Sequence, residues 1–461
     1  MLLPIGENLY SRVLYIIFLI SMCLLPFSTG GGNGSNSVVV TLAFPFLLLL
    51  SIFIMYNFIS KKERTNYPDE LKLAVFCGFL QVFAVFISSL INQNILISFA
   101  RSIFHIFGFT IFLYITSNSF IRKNAILVYN NISLLLIFSG CIMSTYFIIN
   151  FLIAVQQNSL EQVLLERENG GLMALPWGAS NTIAACIMMP LFIAVERLFF
   201  LLSSIKKIGL IQNKKSPLTT KINFADHGEI DFTTRKISVV IVIFAITILL
   251  TAIVITQSRN VLLTVAVGAL LIGILTKNFK RILIFLVVLI TIFFVIVILS
   301  NQDLESVFSA RVGDGAQDVE GFNGRTLVWE ASIEYFRNHP LQPIGYFGML
   351  QEVGYTAHNV FITTLIEQGI IGLVVYILFL INNFSFCIKK MSTKYLTSTA
   401  KITMTIYLIA MLSMLIQLQF EDSNLTAQNI IYNWVFLALM YLNIYCNVQL
   451  PLMFRKNRNF S

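Results

Sequence analysis

The stretch SVVIVIFAITILLTAIVIT, residues 238–256, carries no charge, and runs like it recur along almost the whole chain. A helix needs roughly 20 apolar residues to cross the ~30 Å hydrocarbon core of a bilayer, and within that core its backbone must satisfy its own hydrogen bonds. Such a chain is confined to a bundle of membrane-crossing helices. Composition agrees: 57% of the 461 residues are hydrophobic, 11% are charged, and the mean hydropathy is +0.81. Little is left for a soluble domain of ordinary size. The expectation is an all-α polytopic membrane protein forming a single membrane domain over residues 1–461.

Apolar runs and their flanks predict about twelve transmembrane helices, near 12–27, 38–59, 70–91, 95–116, 125–154, 177–202, 237–255, 261–275, 282–299, 359–388, 400–419 and 430–450. The first run has only Arg12 before it and no small-x-small cleavage site, so an uncleaved first helix is expected. Cys23, Cys77, Cys141, Cys186, Cys387 and Cys446 lie inside or at the edges of apolar runs without CxxC spacing. They read as core residues, and no metal site or other cofactor is expected.

Positive charge tests both the span count and the orientation. With the N- and C-termini cytoplasmic, 25 of the 31 lysines and arginines fall on the cytoplasmic face. The net charge of +9 is therefore a matter of topology, and no nucleic-acid partner is expected. The six remaining cations are all arginines: Arg101, Arg167, Arg259, Arg311, Arg325 and Arg337. Arginine is the planar, bidentate donor suited to phosphate and diphosphate, although six residues are a small sample.

Three loops stand apart. Residues 203–236 form a basic cytoplasmic connector to which no chemistry is assigned. The outer segment 156–177 holds a short interfacial helix before a Gly-Gly break. Residues 300–358 form the longest outer loop, and a loop of that size in so compact a chain usually carries function.

Within that loop, RTLVWEASIEYF, from Arg325 to Phe336, has amphipathic helical spacing, with Leu327, Trp329 or Ala331, Ile333 and Phe336 on one face turned to the membrane or to protein. Arg325 opens this helix and either serves a ligand or pairs with an acid such as Glu330. Arg259 lies in the very short turn at 256–260, at the start of the next helix, and either snorkels to lipid phosphate or clamps a fixed one. His358 and Asn359 open the tenth span. The imidazole suits a general base working near neutral pH, and the alternative is a plain helix start. Glu367 is a carboxylate inside an apolar span and needs a polar neighbour or a cavity. Gly369 and Gly372 offer a small-x-x-small surface for helix packing. Arg101 and His105 lie four apart on one face of the fourth span, about two turns below its outer end, and are a site hypothesis on that ground.

Four stretches in chain order, GASNTIAACIMMPL with Asn181, QSRNVLLT, GRTLVWEASIEYFRNHPLQPIGYFG and HNVFITTLIEQGIIG, resemble motifs of the O-antigen ligase and polymerase superfamily of bacterial glycan assembly. One departure is an extra residue in LQPIGYFG, so Gly345 and Gly348 are expected to form the loop rather than make specific contacts. The resemblance implies a GT-C-like inner-membrane glycosyltransferase with its site on the periplasmic face, needing neither metal nor nucleotide sugar. Its donor would be a glycan on undecaprenyl diphosphate. Arg259 and Arg325 would hold the diphosphate and His358 would activate the acceptor hydroxyl. Arg101, His105, Asn181, Trp329, Asn359 and Glu367 complete the set as substrate-binding candidates. The acceptor would be another lipid-linked repeat unit for a polymerase or lipid A-core for a ligase. The reading leans to a polymerase because polymerases are the more numerous members, with a chain-length regulator as a possible partner. A flippase of the same lipid-linked glycan is the rival of another class, but it would place polar groups near the midplane of repeated halves. An accessory membrane protein would leave the Arg, Arg, His set without a role.

Overall fold

The computed structural model describes residues 9–29, 40–59, 69–158, 163, 180–213, 232–256, 258–277, 325–340, 342–349, 357–393, 396–419 and 426–456. In chain order the helices are α1 (Leu9–Leu24), α2 (Phe44–Ile59), α3 (Asp69–Ile91), α4 (Ile95–Ser117), α5 (Ser119–Lys123), α6 (Ala125–Gln157), α7 (Ser180–Asn213), α8 (Phe232–Thr256) and α9 (Arg259–Thr276). They continue with α10 (Arg325–Asn338), α11 (Val360–Ser392), α12 (Ser398–Gln417) and α13 (Ala427–Lys456). The only sheet among the described residues is a two-residue antiparallel pair, β1 (Ser28–Thr29) with β2 (Val40–Thr41). Apart from that pair, the regular structure among the described residues is helical, as the composition requires.

Among the described residues nine helices are long and apolar enough to cross a membrane, and α1 and α2 are shorter apolar helices. The span expected at 282–299 lies outside the described residues, as do most of the loops 156–177, 203–236 and 300–358.

Helix contacts follow from side-chain size. Gly108 of α4 lies so close to α13 that an added Cβ would stand 2.2 Å from Cδ1 of Trp434. The indole fills the space a side chain would take, and Phe109, Phe112 and Phe379 surround it. Pro190 interrupts the backbone ladder of α7, and Gly140 of α6 leaves room for its ring. Gly268 of α9 opens the same kind of close contact with Phe192 of α7 and Ser413 of α12.

Several buried polar groups pair across helices in the lower half of the bundle. Thr403 Oγ1 donates to Glu196 Oε1 at 2.9 Å, Arg197 donates to Asn130 Oδ1 at 2.6 Å, and the hydroxyls of Tyr129 and Tyr407 lie 3.0 Å apart. These bonds tie α6, α7 and α12 together where water cannot reach. The opposite, upper end is where α3 gives way to α4, α12 ends and α11 begins. There Ser88 Oγ of α3 donates to the Glu367 carbonyl of α11, and Val360 N donates to the Leu418 carbonyl just past α12.

Candidate functional site

The turn before α11 is built from Ala357, His358 and Asn359. Asn359 is the N-cap: its Oδ1 accepts from Phe361 N at 3.0 Å and Ile362 N at 3.2 Å, satisfying two of the donors a helix start leaves open. Its Nδ2 donates to Gln419 Oε1 at 3.1 Å. His358 has φ 47°, in the left-handed region. Histidine visits that region more readily than most side chains, at a cost of roughly 1 kcal/mol. Ala357 is fully buried, and its carbonyl accepts from Trp329 Nε1 at 2.6 Å. The half-buried His358 side chain is therefore presented from a turn held on both flanks.

A second group forms around residues 342–349. Tyr346 N donates to the Ser88 carbonyl, Asn92 Nδ2 donates to the Tyr346 carbonyl at 3.1 Å, and Ile344 N donates to the Ile366 carbonyl at 3.1 Å. The segment is thereby seated among α3, α4 and α11. Gly345, at φ 92°, makes this possible, since a Cβ there would lie 2.6 Å from the backbone of Asn92. Gly345 and Gly348 are loop formers, as the sequence implied.

Arg101 and His105 meet this segment side by side. The Arg101 guanidinium lies 3.5 Å from the centre of the Phe347 ring. His105 Nε2 and the Tyr346 hydroxyl are 3.1 Å apart, their rings edge to face. Glu367, 5% exposed, has Oε1 3.4 Å from the donating Met349 N and lies in electrostatic reach of Arg101. The intramembrane carboxylate has the polar neighbours its position demanded.

Two expectations need correction. The buried face of α10 consists of Val328, Trp329, Ser332, Tyr335 and Phe336, packed on Ile344, Met349, Ala357 and Ile366, whereas Leu327 and Ile333 are 52% and 40% exposed. Ser332 can be buried because its hydroxyl donates to the Val328 carbonyl at 2.6 Å. Gly369 interrupts α11 with φ 72° and ψ −177°, beside Pro343, and the Gln368 side chain occupies the space over Gly372. GIIG is thus a helix break rather than a surface for close helix packing.

The other candidates are placed as follows. Arg259 is the first residue of α9, after the N-cap position Ser258, and is exposed. Arg325 is the first residue of α10. Asn181 lies in the first turn of α7, whose Cys186 Sγ is 3.5 Å from Thr426 Oγ1 before α13. The described contacts join Trp329, His358, Asn359 and Glu367 around α10 and α11, and Arg101 and His105 to them through residues 342–349. They do not join Asn181 to that group. Tyr346, Phe347, Ser88, Asn92 and Gln419 escaped notice in the sequence. For Tyr346 and Phe347 a signal was present: two aromatics between loop glycines, just after two prolines.

The fold describes a multi-pass helical membrane protein in which Arg259, Arg325 and the His358–Asn359 pair each stand at the start of a helix. Residues 244–377 match the O-antigen ligase family, which makes that stretch similar to the O-antigen ligase and polymerase superfamily. The match covers Arg259, Arg325, Trp329, His358, Asn359 and Glu367, and leaves Arg101, His105 and Asn181 outside. A search of curated proteins finds no match for this chain.

Proposed function

We propose that the protein transfers a glycan from undecaprenyl diphosphate to an acceptor sugar hydroxyl at the periplasmic face of the bacterial inner membrane. The observation that carries this reading is positional: within the matched stretch Arg259 and Arg325 each open a helix, and His358 directly precedes the cap of another. A helix start carries partial positive charge and favours anions, and an arginine beside it adds to that field. Counting the span expected at 282–299, Arg259 would fall on the same side as His358; α9 and α11 both pack against α12.

In the proposed reaction His358 takes the proton of the attacking hydroxyl as the oxygen bonds to the anomeric carbon of the donor. The carbon–oxygen bond to diphosphate breaks, and its electron pair stays with the diphosphate. Arg259 and Arg325 bind that developing charge without calling on a divalent ion. Attack opposite the leaving group inverts the anomeric centre. Arg101, His105 and Glu367 shape the site through the segment at 342–349.

Of the two acceptors we propose the lipid-linked repeat unit, which makes the protein a polymerase. Complementation of a deletion strain, with the glycan read on a gel, decides this. A lost polymerase leaves single repeats on lipid A-core. Polymer left on undecaprenyl diphosphate beside bare core would make the protein a ligase instead.

A further inference from the structure

We propose that Trp329 and Gln419 are positioning residues that set the His358 turn from its two sides; this rests on the reading of His358 as the base. A left-handed backbone at a residue other than glycine persists only where its flanks over-determine it. Both flanks of His358 do so. Before it, the buried Ala357 carbonyl is held by the Trp329 indole at 2.6 Å. After it, Asn359 Oδ1 is committed to the Phe361 and Ile362 amides, which fixes the amide's orientation and directs Nδ2 at Gln419 Oε1. Gln419 is held in turn, since its Nε2 donates to the Leu415 carbonyl at 3.1 Å.

A further anchor among the described residues, Val360 N on the Leu418 carbonyl, is a backbone bond. Trp329 and Gln419 are thus side chains through which the turn takes its setting from α10 and from the end of α12. Trp329 follows Arg325 by about one helical turn. The bond that holds the base therefore also sets its register against the helix that begins with a diphosphate arginine. An indole kept for this task works by geometry and has no need to touch glycan.

The chain has four histidines, His105, His227, His339 and His358, so ring-labelled histidine gives few magnetic-resonance signals, and His358→Gln identifies the relevant one. The test compares wild type, Trp329→Phe and Gln419→Met in lipid nanodiscs across pH, alongside turnover of a synthetic polyprenyl diphosphate glycan. In both variants the His358 signal and its titration midpoint move while those of His105 and His339 stay. Turnover falls roughly 10-fold or more with KM for the donor unchanged. A His358 signal and midpoint equal to wild type in both variants overturn the inference. So does a shift of all the signals together in both, which would make the two side chains general supports. Transfer surviving in His358→Gln sinks the base assignment instead, and the spectra still decide the placement.

Discussion

The guanidinium of Arg101, on α4, lies 3.5 Å from the centre of the ring of Phe347, a residue 246 positions further along the chain. The contact pins residues 342–349 to the bundle inside a span where an unpartnered cation would be costly. Arg101→Met and Phe347→Leu should each lower the melting temperature in detergent. Together they should lower it less than the sum, with a coupling of roughly 0.5–2 kcal/mol. Strict additivity would remove the pair from the account.

Two glycines with positive φ should respond differently to alanine. At Gly345 the new Cβ would stand 2.6 Å from the Asn92 backbone, which cannot rotate away, whereas at Gly369 the nearest neighbour is Pro343 at 3.8 Å. Gly369→Ala should cost about 1–2 kcal/mol of backbone strain, and Gly345→Ala distinctly more because clash adds to strain. Thermal unfolding of the two purified variants checks the order, and equal losses would contradict it.

The proposed charge set makes a sharper demand. Arg259→Ala, Arg325→Ala and His358→Ala should each cut transfer by about 100-fold or more while leaving the amount of protein in the membrane unchanged. Lysine at either arginine position should restore only part of the rate, because an ammonium lacks the bidentate fork. Wild-type transfer in the alanine variants would refute the assignment.

In the lower half, Arg197 is 7% exposed and donates to Asn130, next to the Glu196 carboxylate that accepts from Thr403. Arg197→Met should destabilise the protein by roughly 3–5 kcal/mol, the usual consequence of removing one partner from a buried charged group. The surviving folded fraction should keep its transfer rate, since the network lies at the other end of the bundle. Equal loss of rate and stability per folded molecule would show that the two ends are coupled.

The sequence by itself determined the membrane class, the start of α10 at Arg325, the place of Arg259 at the head of α9 and the opening of α11 at His358 and Asn359. Those are local matters: apolar length, prolines, caps and charge counting are read along the chain, and the physics that sets them acts over a few residues. Leu327 and Ile333 were grouped with Trp329 and Phe336 because only apolar spacing was counted, while the face of α10 in contact includes a serine that satisfies its own hydroxyl. GIIG was misread because a small-residue spacing is the same whether the helix continues or breaks. Only the tertiary structure decided that Tyr346 and Phe347 meet His105 and Arg101, and that Gln419 holds the cap of α11. These partners come from distant parts of the chain, and no local pattern records which helix ends will share a level when the bundle closes.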